Sequence, residues 1–192
     1  MIAQEKASAR AGAADGNRTA RRAAERVPPQ LATPTDLAQD AVDQIGAAVN
    51  PLIADAYALY IKTKNFHWHV ASSHFRDYHL LFDEQAESLL GSTDLLAERL
   101  RKIGATTIRS ISHISEAQTI EDDDDAFVPP QEMIRRLLAD NRHMAEQQRA
   151  AIDLTEQLRD TPTSNLLQEL LDETERRIWF LFEVSQGGEN SA

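Results

Sequence analysis

The sequence has 192 residues, with 31 acidic against 20 basic side chains, a net charge of −11 with histidine neutral, and no cysteine. The missing thiols exclude disulfides, thiolate zinc sites and cysteine nucleophiles, so a metal here must be held by histidine nitrogen and carboxylate oxygen. No apolar run reaches the roughly 20 residues of a membrane span, and the start lacks the apolar stretch of a secretory signal, so a soluble, cytoplasmic chain is expected.

The charge is uneven. Residues 1–30 carry Lys6, Arg10, Arg18, Arg21, Arg22 and Arg26 against Glu5, Asp15 and Glu25, a net of +3, while the remainder carries 14 basic and 28 acidic residues. This first segment is rich in Ala, Arg and Gly, lacks aromatics and ends in Val27-Pro28-Pro29. Such a composition buries too little surface to order itself, and a flexible basic arm is expected over 1–30. An acidic body repels polyanions, which leaves the arm as the surface able to touch one.

Residues 31–188 follow as a single helical domain, with 189–192 a short tail. Apolar residues at helical spacing (Leu37, Val42, Ile45, Val49, Ile53, Tyr57, Tyr60, Ile61) predict a first helix from Asp36 to about Trp68, with Thr35 or Asp36 as its N-cap. Pro51 inside it should kink the helix or delay its start. A second helix is predicted over Phe75–Ile103, its core stripe formed by Tyr78, Phe82, Ala86, Leu89, Leu96, Leu100 and Ile103, with Gly104 as its stop. A long connection covers 105–130, with one short helix near Ser110–Glu116 and an acidic run, Glu121 to Asp125. The third helix spans about Gln131–Arg159; Thr161-Pro162-Thr163 then caps a fourth, which ends near Gly187-Gly188. No segment alternates at period two over a strand's length. Four long amphipathic helices with one long connection predict an all-α four-helix bundle with a crossover of ferritin type.

The stretch HWHVASSHFRDYHLLFD, His67 to Asp83, contains four of the six histidines. On a helix at about 100° per residue, His79 and Asp83 are one turn apart on one face, and Asp94 and Glu98 repeat that spacing. Eleven steps from Asp83 to Asp94 turn about 1100° and return to within roughly 20° of the same direction, but rise about 16 Å. Metal–ligand bonds are only about 2.0–2.2 Å, so one chain holds two half-sites that cannot meet. Two copies packed antiparallel about a two-fold axis near Ser88–Leu89 would bring each pair opposite the other, twice. Gly91 in mid-helix suits close approach near that axis. His67 and His69 point about 200° apart, and spacing alone does not choose between them. Spacing alone also leaves open an acidic, solvated helix face.

The pattern H-W, twelve residues from His67 to His79, then H-x3-D and D-x3-E, resembles the Dps mini-ferritins, the starvation-induced DNA-protection proteins. The resemblance covers about 31–188. It implies a hollow homododecamer with a ferroxidase centre at each antiparallel two-fold interface, its ligands His67, His79 and Asp83 from one subunit with Asp94 and Glu98 from the neighbour. His67 is thereby favoured over His69. It further implies an enzyme that oxidises Fe(II), preferably with hydrogen peroxide, stores ferric mineral in the cage and protects DNA in the nucleoid, with contact through the arm. Zn(II) and Mn(II) suit the same donors. Classical ferritins instead use Glu-x-x-His pairs within each bundle, and none occurs here.

Weaker expectations attach to nearby residues. Glu87, on the same stripe, is an interface hydrogen-bonding residue or a weak iron ligand. Trp68 and Trp179 are packing residues first, with interception of oxidising species at Trp68 a lesser reading. His69, His74, His113 and His143 are surface or hydrogen-bonding residues. Glu121 to Asp125 is a solvated loop or a cation collector. Two other classes compete with the ferroxidase: a nucleoid-associated structural cage with little iron chemistry, and a metal-free helical adaptor.

Overall fold

The computed structural model describes residues 27–186. The chain divides into two compact units, Met1–Ala32 and Thr33–Ala192. Of the first, the described part is the segment 27–32, with a single 3-10 turn at Pro29–Leu31. The basic residues Lys6, Arg10, Arg18, Arg21, Arg22 and Arg26 lie outside the described residues, as do Gly187 and Gly188.

The second unit consists of α1 (Gln39–His69), α2 (Phe75–Lys102), the short α3 (Ile111–Ala117), α4 (Pro130–Gln157) and α5 (Thr161–Ser185), with no strand among the described residues. Helix α1 packs along α2 and α4 along α5; α1–α4 and α2–α5 contacts join the two pairs, and α3 lies on α1. This is the four-helix bundle with a long crossover that the periodicity predicts.

Helix α1 begins three residues later than predicted. Its N-cap is Ala38, whose side chain cannot accept a hydrogen bond, and Thr35 instead closes a local turn by accepting from the Leu37 N–H. The polar pairs Gln39–Asp43 and Asp40–Gln44, at i,i+4, brace this uncapped first turn. The helix continues through the position of Pro51 rather than starting after it. Proline removes one backbone donor; beside it, the Asn50 amide donates to the Gly46 carbonyl at 2.9 Å and to the Thr106 carbonyl at 3.1 Å, tying α1 to the segment after α2.

Helix α2 stops where predicted. Gly104 adopts φ +83°, and a Cβ there would stand 2.9 Å from the Thr33 carbonyl oxygen, so both conformation and space require glycine. The crossover is pinned by Asp55 of α1, fully buried, which accepts from the Thr119 N–H and hydroxyl and from the Ile120 N–H. The acidic run is not simply solvated. Asp123 and Asp125 both pair with Arg136 of α4, at 2.8 and 2.7 Å, and Asp122 accepts from Gln118.

The cap of α5 is Asp160 rather than the Thr161-Pro162-Thr163 segment: its carboxylate accepts from the Thr163 N–H, and Thr161 is already helical. Arg159, just before it, holds φ 61° in the left-handed region.

Two apolar clusters fill the interior, one around Phe66, Phe82, Leu89 and Leu137, the other around Ile45, Ile53, Leu100 and Leu167. Truncating a fully buried aromatic such as Phe82 to Ala should cost about 3–5 kcal/mol. All seven predicted stripe residues of α2 are buried. Ile61, placed in the α1 stripe by spacing, is exposed; sixteen residues from Ile45, it has turned about 160° away from the core. Between the two clusters lie the buried polar residues Thr93, Asn141, Gln148, Thr174 and Arg177. Arg177 donates to Asn141, Ser88 and Thr174, and burial pushes its guanidinium down to about 10. A cation with neutral partners therefore occupies the bundle centre, which disfavours a second cation there. No described helix is long and apolar enough to cross a membrane.

Candidate metal centre

His67 lies in the last turn of α1, and the turn over 70–74 folds α2 back alongside it, which brings His79 opposite. The two imidazoles stack with centroids 3.7 Å apart and planes 20° apart. Their Nδ1 atoms bond reciprocally: His67 Nδ1 donates to the His79 carbonyl at 2.7 Å, and His79 Nδ1 donates to the His67 carbonyl at 2.9 Å. A carbonyl can only accept, so both rings carry a proton on Nδ1, which leaves Nε2 as the nitrogen able to meet a metal. That is the form in which imidazole binds a metal, with its orientation fixed by the opposite nitrogen.

Asp83, one turn beyond His79 on α2, completes this half. Its Oδ1 stands 3.9 Å from His67 Nε2 and 2.6 Å from Lys64 Nζ. The carboxyl is held below its ordinary range, first by the Lys64 hydrogen bond and then, against the cost of burial, by the positive charge of Lys64. His67 is buried, and Asp83 is part-exposed at 38%. His69, by contrast, is exposed and bonded through Nδ1 to the Asn65 carbonyl. The structure thus brings His67, not His69, to His79 and Asp83.

Asp94 and Glu98 lie further along the same exposed face of α2, with Glu87 between the two pairs. Glu98 pairs with the flexible end of Lys102, 3.3 Å away at i,i+4. Among the described residues, no three His, Asp or Glu side chains of one chain converge on a common metal position. The face is opposite the core and also carries the exposed Leu80 and Leu90. Among the described residues, a Cβ on Gly91 would meet nothing within 4 Å, so no close approach there requires glycine.

Trp68 is not a packing residue within the chain: it is 60% exposed. His67 takes the buried position one residue earlier, and a further 100° turns Trp68 outward. Trp179 is likewise exposed, its indole N–H donating to Glu183. His143 meets the Thr119 hydroxyl at 2.8 Å and His74 is exposed near Asp77. The residue that sequence reading passed over is Lys64. Its signal was its place one turn before His67, on the same side of α1.

A bundle of four long helices with a crossover between the second and third defines a ferritin-like protein. The family model described as a Ferritin-like domain matches residues 46–187, and the chain belongs to that family. Within it, the chain is a member of the Dps mini-ferritins. It is 30% identical over 175 residues to the DNA protection during starvation protein of Halobacterium salinarum, covering 91% of this chain and 88% of the relative. It resembles the structure of DpsC from Streptomyces coelicolor with a TM-score of 0.76 at 28% identity, over 79% of this chain and 88% of that one. The Dps protein of Vibrio cholerae O1, described as a member of a broad superfamily of ferritin-like diiron-carboxylate proteins, matches with a TM-score of 0.74 at 26% identity, over 79% of this chain and 96% of that one. An uncharacterised low temperature-induced protein of Nostoc is 29% identical over 140 residues, 72% of this chain and 78% of the relative.

Proposed function

We propose that this chain is a ferroxidase and iron-storage protein that protects DNA, acting as a hollow homododecamer in the cytoplasm. The observation that carries the reading is the pair of stacked histidines, each anchored through Nδ1 with Nε2 left for a metal, beside an ionised Asp83, with no completing ligand among the described residues of the same chain. Iron is the substrate. His67, His79 and Asp83 of one subunit and Asp94 and Glu98 of an antiparallel neighbour form the site, and each two-fold contact makes two of them. Nitrogen and carboxylate donors without sulfur suit Fe(II). Two Fe(II) ions give one electron each to one hydrogen peroxide, which takes up two protons and leaves as two waters. Delivering both electrons together avoids the hydroxyl radical that a single-electron step releases. The carboxylates balance the added charge, and ferric product passes to mineral inside the cage. The membership of the Dps family and the diiron-carboxylate description of the Vibrio relative support this chemistry.

The test is stopped-flow absorbance on the Fe(II)-loaded protein mixed with peroxide. Rapid ferric formation is expected, and it should be lost in Asp94→Asn/Glu98→Gln; equal rates in the double variant refute the site. Native mass should be near twelve chains. For DNA, the arm of residues 1–30 supplies the contact through Lys6, Arg10, Arg18, Arg21, Arg22 and Arg26, multiplied by the number of subunits. Removing the arm should abolish retardation of DNA and leave iron oxidation intact, and retardation should fall steeply with salt.

A further inference from the structure

Lys64 puts an ammonium where a metal ion would draw on Asp83. Its Nζ is 2.6 Å from Asp83 Oδ1, the same oxygen that faces His67 Nε2 at 3.9 Å. An ion bound to both Oδ1 and Nε2 would share that oxygen with Lys64 and stand within a few ångströms of its charge. The two cations repel at such a distance, and the oxygen has limited lone-pair capacity for both. The side chain also has a second resting place. Lys64 and Trp68 are one turn apart on α1, and Nζ already stands 5.8 Å from the centre of the exposed Trp68 ring. That is within the range of a cation–π contact.

We propose that Lys64 is a built-in competitor for divalent cations: it holds the Asp83 carboxylate in place before metal arrives, and iron binding displaces its ammonium from the carboxylate toward the face of Trp68. The proposal rests on the metal centre described above and adds a regulating residue to it. Two consequences follow from the geometry. Lys64 lowers the affinity of each site, so that occupancy tracks free iron rather than saturating at traces of any divalent ion. It also couples occupancy to the environment of Trp68. Lys64 is a positioning residue, acting on the metal through Asp83.

The experiment is an anaerobic calorimetric titration of the assembled full-length protein with Co(II), with tryptophan fluorescence followed in parallel. A Trp179→Phe background leaves Trp68 as the reporter, the two tryptophans being the only ones in the chain. The parent protein should bind Co(II) with a change in Trp68 emission in step with occupancy. Lys64→Met, which keeps the length of the stem and removes the charge, should bind roughly 10-fold more tightly and lose the emission change. Lys64→Gln should give the same sign, which covers a local packing fault in the methionine variant. Lys64→Arg, still cationic, should keep the weaker binding of the parent. Unchanged or weaker binding in both neutral variants, with His67→Ala abolishing binding, overturns the competitor role and leaves the metal site standing. Binding that survives in His67→Ala as in the parent overturns the site and this proposal together.

Discussion

His67 Nε2 faces Asp83 Oδ1 across 3.9 Å, too far for a hydrogen bond and near the span that two metal bonds of about 2.1 Å can bridge. The gap is maintained by His79, whose ring stacks on His67 and whose Nδ1 donates to the His67 carbonyl. Removing that ring frees His67 to rotate and takes away one lone pair. His79→Ala should weaken Co(II) binding by about 10–100-fold or more. His79→Gln restores a donor but not the stack, and should recover only part of the loss. Calorimetry under anaerobic conditions reads both, and parent-like affinity in the alanine variant would exclude His79 from the site.

Gly91 poses a separate question, because a Cβ there would meet nothing within 4 Å among the described residues. Within an isolated bundle, Gly91→Ala should be stabilising by about 1 kcal/mol, as expected for an exposed helix interior. If two α2 helices cross near Ser88–Leu89, a large residue at 91 has no room. Gly91→Trp should then yield well-folded particles far smaller than twelve chains by native mass, with peroxide-driven iron oxidation lost in parallel. A full-sized assembly of the Gly91→Trp variant would move the crossing point elsewhere.

The N-terminus of α4 makes a prediction about pH. Arg135 and Arg136 both donate to Glu132, holding its carboxyl down at about 2 against an ordinary 4.5. A folded-state value below the unfolded one means that the stabilisation is fully present above pH 4.5 and is lost as pH falls from there toward 2. The carboxylate is partly exposed and Arg135 largely so, so salt should weaken the effect. Carboxyl NMR should follow Glu132 through an apparent midpoint near 2, returning toward 4.5 in Arg135→Gln/Arg136→Gln.

The bundle was legible in the sequence because its helices obey one period. Tyr78 through Ile103 repeat at 3.6-residue spacing, and all seven residues of that stripe are buried. The alignment of His79 with Asp83, and of Asp94 with Glu98, follows from the same arithmetic. What escaped depends on other segments. Ala38 starts α1 with a side chain that cannot cap, while the better cap former Thr35 turns the chain before it. Ile61 drifts out of a stripe that reads as continuous along 31 residues. Lys64 resembles any solvated cation until α2 places Asp83 on it, 19 residues later in the chain. The choice of His67 over His69 was open on spacing and came from the family resemblance; the 70–74 turn supplies its physical reason, setting one histidine against His79 and leaving the other on the surface.

The connection between α4 and α5 yields the sharpest stability prediction. Arg99 of α2 reaches Asp160 at 2.6 Å and also donates to the Thr163 hydroxyl at 2.7 Å, while Asp160 accepts from the Thr163 N–H and hydroxyl. Asp160 is 2% exposed and Arg99 17%, so the pair is largely removed from water. Deleting one partner leaves the other charge unpaired in the bundle. Asp160→Ala should therefore cost about 3 kcal/mol or more, counting the lost cap. Asp160→Asn keeps a capping oxygen and should cost less. One residue earlier the sign reverses. Arg159 sits at φ 61°, where a side chain costs about 1–2 kcal/mol and glycine nothing in sterics. After the extra chain entropy of glycine, Arg159→Gly should stabilise by about 0.5–1 kcal/mol. Urea denaturation of single-site variants, compared at equal assembly state, measures both. A destabilising Arg159→Gly would mean that the arginine side chain contributes more than its backbone costs.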